Sequence, residues 1–163
     1  MLFLLCQLGA DRYALDATRV VEVLPLLQLQ KIPGAPRGVA GLFNYRGQPV
    51  PAVDLGEMLL GQPAPERLTT RIILVRHAAA DGGDHLLGLI AEQITQTVRR
   101  ELGEFQEPAL SVGAPPFLGP VLADEHGLVR LIREDRLLTN DVRNLLFAGK
   151  LLSSARQTGK FFP

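Results

Sequence analysis

The sequence predicts a mainly β fold built from small barrels. Short β-like runs separated by turn residues recur about every ten residues up to about position 130, a spacing typical of sandwiches and barrels. Neither a long amphipathic helix nor an alternation of strands with helices is visible, so a parallel sheet is not expected. The 163 residues are 47% hydrophobic, which is enough apolar material for a buried core.

The composition narrows the functional classes. The 17 Lys and Arg residues balance 17 Asp and Glu residues, so the overall field does not favour nucleic acid or an anionic membrane as a partner. Tryptophan is absent and aromatic residues make up 6%, which argues against a base-stacking platform. The single cysteine, Cys6, lies in an apolar run and is predicted to be an inert, buried thiol.

The amino-terminal apolar run does not predict a membrane span. It lacks a basic segment, and Gln7, Asp11 and Arg12 interrupt it well short of the roughly 18 residues that a span needs. We therefore expect a cytoplasmic protein with no direct membrane insertion.

Three β-hairpins are predicted from pairs of apolar runs that flank turn residues. They join residues 3–8 to 12–15, residues 71–76 to 86–90, and residues 121–123 to 128–132. Asp and Gly make up the whole connection at residues 81–84, and they begin and end the connection at residues 124–127; both residue types are strong turn signals. These hairpins supply most of the predicted strands.

Aspartates and prolines predict where the other early elements begin and end. Asp16 is expected to cap a helical turn at residues 17–19, and Asp54 to cap one at residues 55–60 that Gly61 ends. Residues 20–24 form a predicted strand that Pro25 ends. Residues 50–53 are predicted to be an edge strand, because the neighbouring prolines at positions 49 and 51 lack an N–H donor.

The carboxyl-terminal third contains the helix candidates. Residues 134–138 and 141–147 are predicted helices, the second capped by Thr139 or Asn140 and ended by Gly149. Residues 148–163 have no clear period, so this tail is expected to be loose or to order only on a partner.

A search for catalytic chemistry finds no convincing constellation. The sequence has no phosphate-binding loop, dinucleotide fingerprint, nucleophile elbow or paired cysteines. His77 and His85 could face each other across a hairpin with Asp84 beside them, which is the one arrangement that resembles a metal site. Two histidines in solvent at the ends of a loop explain the pattern more simply. We expect no enzyme activity, no cofactor and no metal.

Residues 38–58 carry the most specific signal, reading GVAGLFNYRGQPVPAVDLGEM. This segment resembles the signature of the CheW family, in which an apolar run leads into Asn-Leu-Arg-Gly and then into Val-hydrophobic-Pro-hydrophobic-Val-Asp-Leu. The matching positions are Asn44, Arg46, Gly47, Val50, Pro51, Val53, Asp54 and Leu55. Tyr45 departs from the pattern, because it stands where the family has leucine.

The resemblance covers about residues 2–147. It implies a single domain over 1–147, made of two SH3-like five-stranded β-barrels that share a hydrophobic core, with short helices, a carboxyl-terminal helix, and a separate tail at 148–163. Because residues 61–66 contain two prolines and a glycine, we predict a subdomain boundary near 61–68.

The resemblance also implies partners and contact residues. The partners are the regulatory domain of a CheA-type histidine kinase and the cytoplasmic tip of chemoreceptors. The residues implied in partner contact are Arg46, Asn44, Tyr45, Gly47, Glu22 and Val20. An alternative for Arg46 is a salt bridge to Glu22 or Asp54 that only pins the loop. Tyr45 could alter which partner fits, or could simply pack.

Three functional hypotheses remain open at this point. The leading one is a non-enzymatic adaptor that couples chemoreceptors to the kinase in a signalling array at the inner face of the membrane. A second is a free-standing modulator or competitor that binds only the kinase or only the receptor. The least favoured is a small metal-dependent enzyme that uses His77, His85 and Asp84.

Overall fold

The computed structural model describes residues 1–78, 83–109 and 113–147. The described residues form ten strands: β1 Leu2–Leu8, β2 Asp11–Asp16, β3 Val20–Pro25, β4 Val39–Tyr45, β5 Gln48–Asp54, β6 Arg71–Ala78, β7 Asp84–Ala91, β8 Gln93–Arg99, β9 Leu118–Asp124 and β10 Gly127–Ile132. Their helices are α1 Leu55–Leu60 and α2 Asn140–Phe147, with short 3-10 helices at Ala17–Arg19, Leu102–Glu104 and Glu134–Arg136. The mainly β prediction is confirmed.

The strands form two five-stranded sheets. Sheet A has the order β8-β1-β2-β10-β9 and sheet B the order β3-β6-β7-β5-β4. Most neighbours are antiparallel, while β2 with β10 and β5 with β7 are parallel. Among the described strands the two edges of each sheet are not hydrogen-bonded to each other, so each half is a curled, open barrel. The prediction of two five-stranded halves is confirmed.

The segment predicted as a subdomain boundary, near 61–68, connects elements of the same half of the molecule, so that prediction needs correcting. It joins α1 to β6, and the strands on either side of it both belong to sheet B. The chain passes between the sheets after β2 and again after β7. Prolines report only that regular structure breaks locally; they do not report which sheet the flanking strands join.

All three predicted hairpins are present, as β1–β2, β6–β7 and β9–β10. The turn of the second hairpin at 79–82 lies outside the described residues, as do Gly149 and the tail at 148–163. Asp16 and Asp54 cap their helices as predicted. Thr139 caps α2, since its Oγ1 accepts the Val142 N–H at 3.2 Å. The predicted helix at 134–138 is only a 3-10 turn.

The prediction that residues 50–53 form an edge strand is wrong, because β5 lies between β4 and β7. Its pairing explains how prolines are tolerated there. Pro49 and Pro51 lie opposite residues of β4, whereas pairing with β7 begins only at Ala52. The prolines therefore occupy the part of β5 that has a neighbour on one side only, where a missing N–H costs little.

Three apolar clusters explain why the strands pair as they do. Phe3 and Leu5 of β1 face a cluster inside sheet A, and Ile72 and Leu74 of β6 face another inside sheet B. The alternate residues of both strands enter a third, larger cluster that contains residues of both sheets. Because successive side chains point to opposite faces, strands buried on both faces must be apolar throughout. The implied shared core is confirmed.

Cys6 belongs to this shared core. Its side chain is buried, and the loss of solvation raises the pKa of the thiol to about 12. A protonated, enclosed thiol is a poor nucleophile, so the structure agrees with the prediction of an inert cysteine.

Candidate functional site

The candidate site is the tight turn that joins β4 to β5. Arg46 and Gly47 are its two central residues, with φ values of 52° and 85°. Positive φ at both positions is the signature of the type I′ turn, whose twist matches that of the flanking strands. The Asn44 Oδ1 accepts the Gly47 N–H at 2.7 Å, which fixes the turn further.

Arg46 is held in an unusual backbone conformation. Among the described residues it is the one non-glycine residue with positive φ, a region that L-residues other than Asn, Asp and His seldom occupy. The strain is tolerated because the hairpin and Asn44 fix the turn on both sides. The fixed backbone therefore sets the direction of the Arg46 Cα–Cβ bond.

The guanidinium of Arg46 is accessible and has two neighbours. Its Nη2 lies 3.5 Å from Glu22 Oε1, and its Cζ lies 5.1 Å from the centroid of the Tyr45 ring. The side chain is nevertheless 75% exposed. Arg46 can therefore donate hydrogen bonds to a group that approaches from solvent.

The pair of Glu22 and Arg46 also reports the shape of sheet B. Glu22 lies on β3 and Arg46 follows β4, and these strands form the opposite edges of the sheet. Two edges can meet only if the sheet curls almost into a barrel. The β4–β5 turn thus lies where the curled sheet nearly closes.

The structure brings together five of the six predicted contact residues. Asn44, Tyr45, Arg46 and Gly47 form the turn, and Glu22 reaches it through the ion pair. Val20 is half-buried and packs against the shared core instead. Val20 and Glu22 flank a β-bulge in the pairing of β3 with β6, so sequence spacing alone could not place them.

The alternative that Arg46 merely pins the loop is resolved in part. Its ion pair is with Glu22, not with Asp54. The carboxylate of Asp54 is buried and accepts the N–H groups of Glu57 and Ala64 at 3.2 and 3.0 Å. Burial raises the pKa of Asp54, while these hydrogen bonds lower it in part. Asp54 is therefore a structural cap in the signature segment.

An open groove of about 750 Å³ borders the turn. It is lined by Gln28, Leu29, Gln30, Leu42, Phe43, Asn44, Gly47 and Pro49. One pair of backbone hydrogen bonds, both 2.8 Å, joins Gln30 to Leu42, and the groove opens along the edge of β4 next to that pair. Residues 28–30, which line one side of the groove, were not predicted from the sequence as part of the site. Leucine and glutamine nevertheless alternate at residues 27–30, a pattern that indicates an extended segment.

His77 and His85 make contacts that belong to the packing of the fold. His77 and His85 face each other across the β6–β7 hairpin, as predicted. His77 is fully buried rather than in solvent, and its Nδ1 lies 2.5 Å from Glu134 Oε1. The His85 ring stacks on Phe147 with centroids 4.5 Å apart. Within residues 1–78, 83–109 and 113–147, no group of three His, Cys, Asp or Glu side chains is placed to hold a metal ion.

Comparison with known proteins identifies the family. The family model described as the CheW-like domain matches residues 2–142, which is most of the chain. The chain belongs to the CheW-like family. The exposed turn is therefore part of a CheW-like domain, and the predicted resemblance to the CheW family is confirmed.

Characterised relatives of this CheW-like chain include proteins named for chemotaxis. The chemotaxis protein CheW of Helicobacter pylori is 25% identical over 92 residues, covering 56% of this chain and 53% of that protein. CheW of Klebsiella aerogenes is 31% identical over 98 residues, covering 56% of this chain and 59% of that protein. The chain thus spans little more than half the length of these two relatives. The protein FrzA of Myxococcus xanthus is 28% identical over 157 residues, covering 95% and 87%.

A solved structure supports the same fold. The scaffolding protein TtCheW of Thermoanaerobacter tengcongensis superposes with a TM-score of 0.76 at 23% identity, over 89% of this CheW-like chain and 92% of that one. No helix within the described ranges is both long enough and apolar enough to cross a membrane.

Proposed function

We propose that this CheW-like protein is a non-enzymatic adaptor that couples chemoreceptors to a CheA-type histidine kinase. The observation that carries the proposal is the Arg46 turn, whose fixed backbone presents a largely exposed guanidinium on a CheW-like domain. Its partners are the regulatory domain of the kinase and the cytoplasmic tip of the receptor. The function is a coupling of binding equilibria between these two partners.

The local chemistry supports docking in place of catalysis. The turn offers N–H donors from Arg46, whose guanidinium lies over the Tyr45 ring, and a groove along β4. Such features bind an extended or helical segment of another protein through apolar contacts and a few oriented hydrogen bonds.

Substitution of Arg46 tests the proposal. Arg46→Ala is expected to leave the fold intact and to lower receptor-dependent kinase activation at least tenfold, because losing a charge-assisted hydrogen bond costs about 1.5–3 kcal/mol. Activation is measured in a mixture of kinase, receptor fragment and the full chain. Arg46→Glu is expected to be more severe, because it places a like charge beside Glu22.

The matched control is Arg67→Ala. This arginine is also exposed and lies on a loop of sheet B, so the change in net charge is the same. Activation is expected to remain within twofold of the unsubstituted protein. Equal activation by Arg46→Ala and by the unsubstituted protein contradicts the proposal.

Binding assays distinguish a coupler from a modulator that binds only one partner. A coupler brings kinase and receptor fragment into one ternary complex, whereas a modulator or competitor binds one partner and does not bridge. The same proposal places the protein in receptor arrays at the inner face of the membrane. A fluorescent fusion should then form clusters only in cells that contain the receptors.

A further inference from the structure

Tyr45 is the position at which the turn departs from the family pattern, and its ring lies against the guanidinium of Arg46. The Arg46 Cζ is 5.1 Å from the ring centroid, within the roughly 6 Å over which an aromatic face attracts a cation. Tyr45 is half-buried and packs against the sheet B cluster. The ring is therefore fixed by the core and supplies a stationary surface for a mobile side chain.

Glu22 contacts the same guanidinium from the opposite edge of sheet B. Its Oε1 lies 3.5 Å from one nitrogen of Arg46, whereas a guanidinium carries five N–H donors on three nitrogens. The guanidinium therefore lies over an aromatic ring and has a carboxylate beside one of its nitrogens. Because the side chain is 75% exposed, N–H donors remain accessible to a partner.

We propose that Tyr45 is a positioning residue that holds the plane of the Arg46 guanidinium for a carboxylate on the partner surface, and that it thereby sets which partner fits. This inference rests on the proposed function. A planar fork of N–H donors matches the two oxygens of a carboxylate. The match is useful only if the plane already has the right orientation, since ordering a free arginine on binding costs side-chain entropy.

A leucine at position 45 can pack against the same cluster but cannot orient the guanidinium. It has no π-face, so Arg46 would be held by its ion pair with Glu22 alone. Exposed ion pairs are weak and fluctuate, because solvent screens them. Phenylalanine keeps the face and lacks the hydroxyl, and so separates the effect of the ring from any hydrogen bond of the phenol.

A double-mutant cycle on the full chain tests the inference. The measured quantity is the adaptor concentration that gives half-maximal activation of the CheA-type kinase by a chemoreceptor cytoplasmic fragment, both from the same organism. Tyr45→Leu is expected to raise this concentration about three- to fivefold, and Tyr45→Phe to leave it within twofold. In the Arg46→Ala background, Tyr45→Leu should add nothing.

A second measurement observes the guanidinium directly. In ¹⁵N NMR spectra of the free protein, the Arg46 Nε–Hε resonance should show a ring-current shift that Tyr45→Phe retains and Tyr45→Leu removes. Absence of that shift, or a Tyr45→Leu effect of equal size without Arg46, overturns the inference alone. If Arg46→Ala leaves activation unchanged, the proposed function itself is overturned.

Discussion

Gly88 of β7 shows how a single residue depends on contacts far away in the sequence. A Cβ added there would lie 2.5 Å from Phe43 Cε1 and 2.9 Å from Ile72 Cγ2, well inside van der Waals contact. Phe43 belongs to β4 and Ile72 to β6, so the restriction arises only when sheet B is assembled. Gly88 allows the Phe43 ring to pack over β7.

Gly88→Ala is therefore expected to lower the free energy of unfolding by about 2–3 kcal/mol, since an added methyl group must displace a buried ring. Urea unfolding followed by circular dichroism measures the change. Gly103→Ala is the control, because no heavy atom lies within 4 Å of its added Cβ. Equal stability of the two variants would contradict this account of Gly88.

Single residues were predictable where their roles are local. Asp16 and Asp54 were correctly predicted as caps, because a cap is decided by residues within one turn of the aspartate. The second hydrogen bond that Asp54 accepts, from the Ala64 N–H, and the burial of His77 were not predictable. Both depend on segments that meet only in the folded chain.

At the scale of elements, an ion pair links β2 to the end of β9, across β10, which lies between these two strands in sheet A. Arg12 donates from Nη1 and Nη2 to the two carboxylate oxygens of Asp124 at 2.9 and 2.8 Å. The Asp124 carboxylate also accepts the His126 N–H at 2.8 Å. The pKa of Asp124 lies well below its usual range, and the hydrogen bond from Arg12 is the largest cause of this shift.

The lowered pKa of Asp124 predicts an acid-dependent stability. A carboxylate whose pKa is lower in the folded state stabilises the fold above its ordinary pKa of about 3.9. That contribution is lost as the pH falls from about 4 toward the folded-state value. The stability difference between the unsubstituted protein and Asp124→Asn should therefore be larger at pH 7 than at pH 3 in urea unfolding. A difference that does not depend on pH would contradict the assignment.

Strand prediction succeeded for hairpins and failed for two elements. Each predicted hairpin has two apolar strands, and the turn between them contains Asp and Gly. β8 was missed because its sequence, QITQTVR, is mostly polar; it pairs with β1 on one side only and so buries little. β4 lies in the signature segment, but its partner is the proline-containing β5, and the prolines obscured the pairing.

At the scale of the whole molecule, a buried pair ties the two halves together. His77 lies on β6 of sheet B, and its partner Glu134 follows β10 of sheet A. Arg19, in the connection between the sheets, lies 3.1 Å from Asp84 and 3.9 Å from Glu134. These polar contacts lie beside the shared apolar core and fix how one sheet meets the other.

His77→Leu is expected to lower the free energy of unfolding by about 3 kcal/mol, because it leaves the buried Glu134 without this partner. The double variant His77→Leu with Glu134→Leu should be closer to the unsubstituted protein than the single variant. Urea unfolding measures both. His126→Leu is the control, since this histidine is exposed. Additive losses in the double variant would show that the pair is not coupled.

The order of strands along the chain has a consequence for biosynthesis. Sheet B is formed by one continuous stretch, whereas sheet A takes β1 and β2 from one end and β8, β9 and β10 from the other. The ribosome synthesises β1 and β2 before β8, β9 and β10. The apolar faces of the β1–β2 hairpin therefore stay exposed until those strands have been synthesised. The early hairpin is therefore the part of the nascent sheet A that most needs protection by chaperones until β8, β9 and β10 have been synthesised.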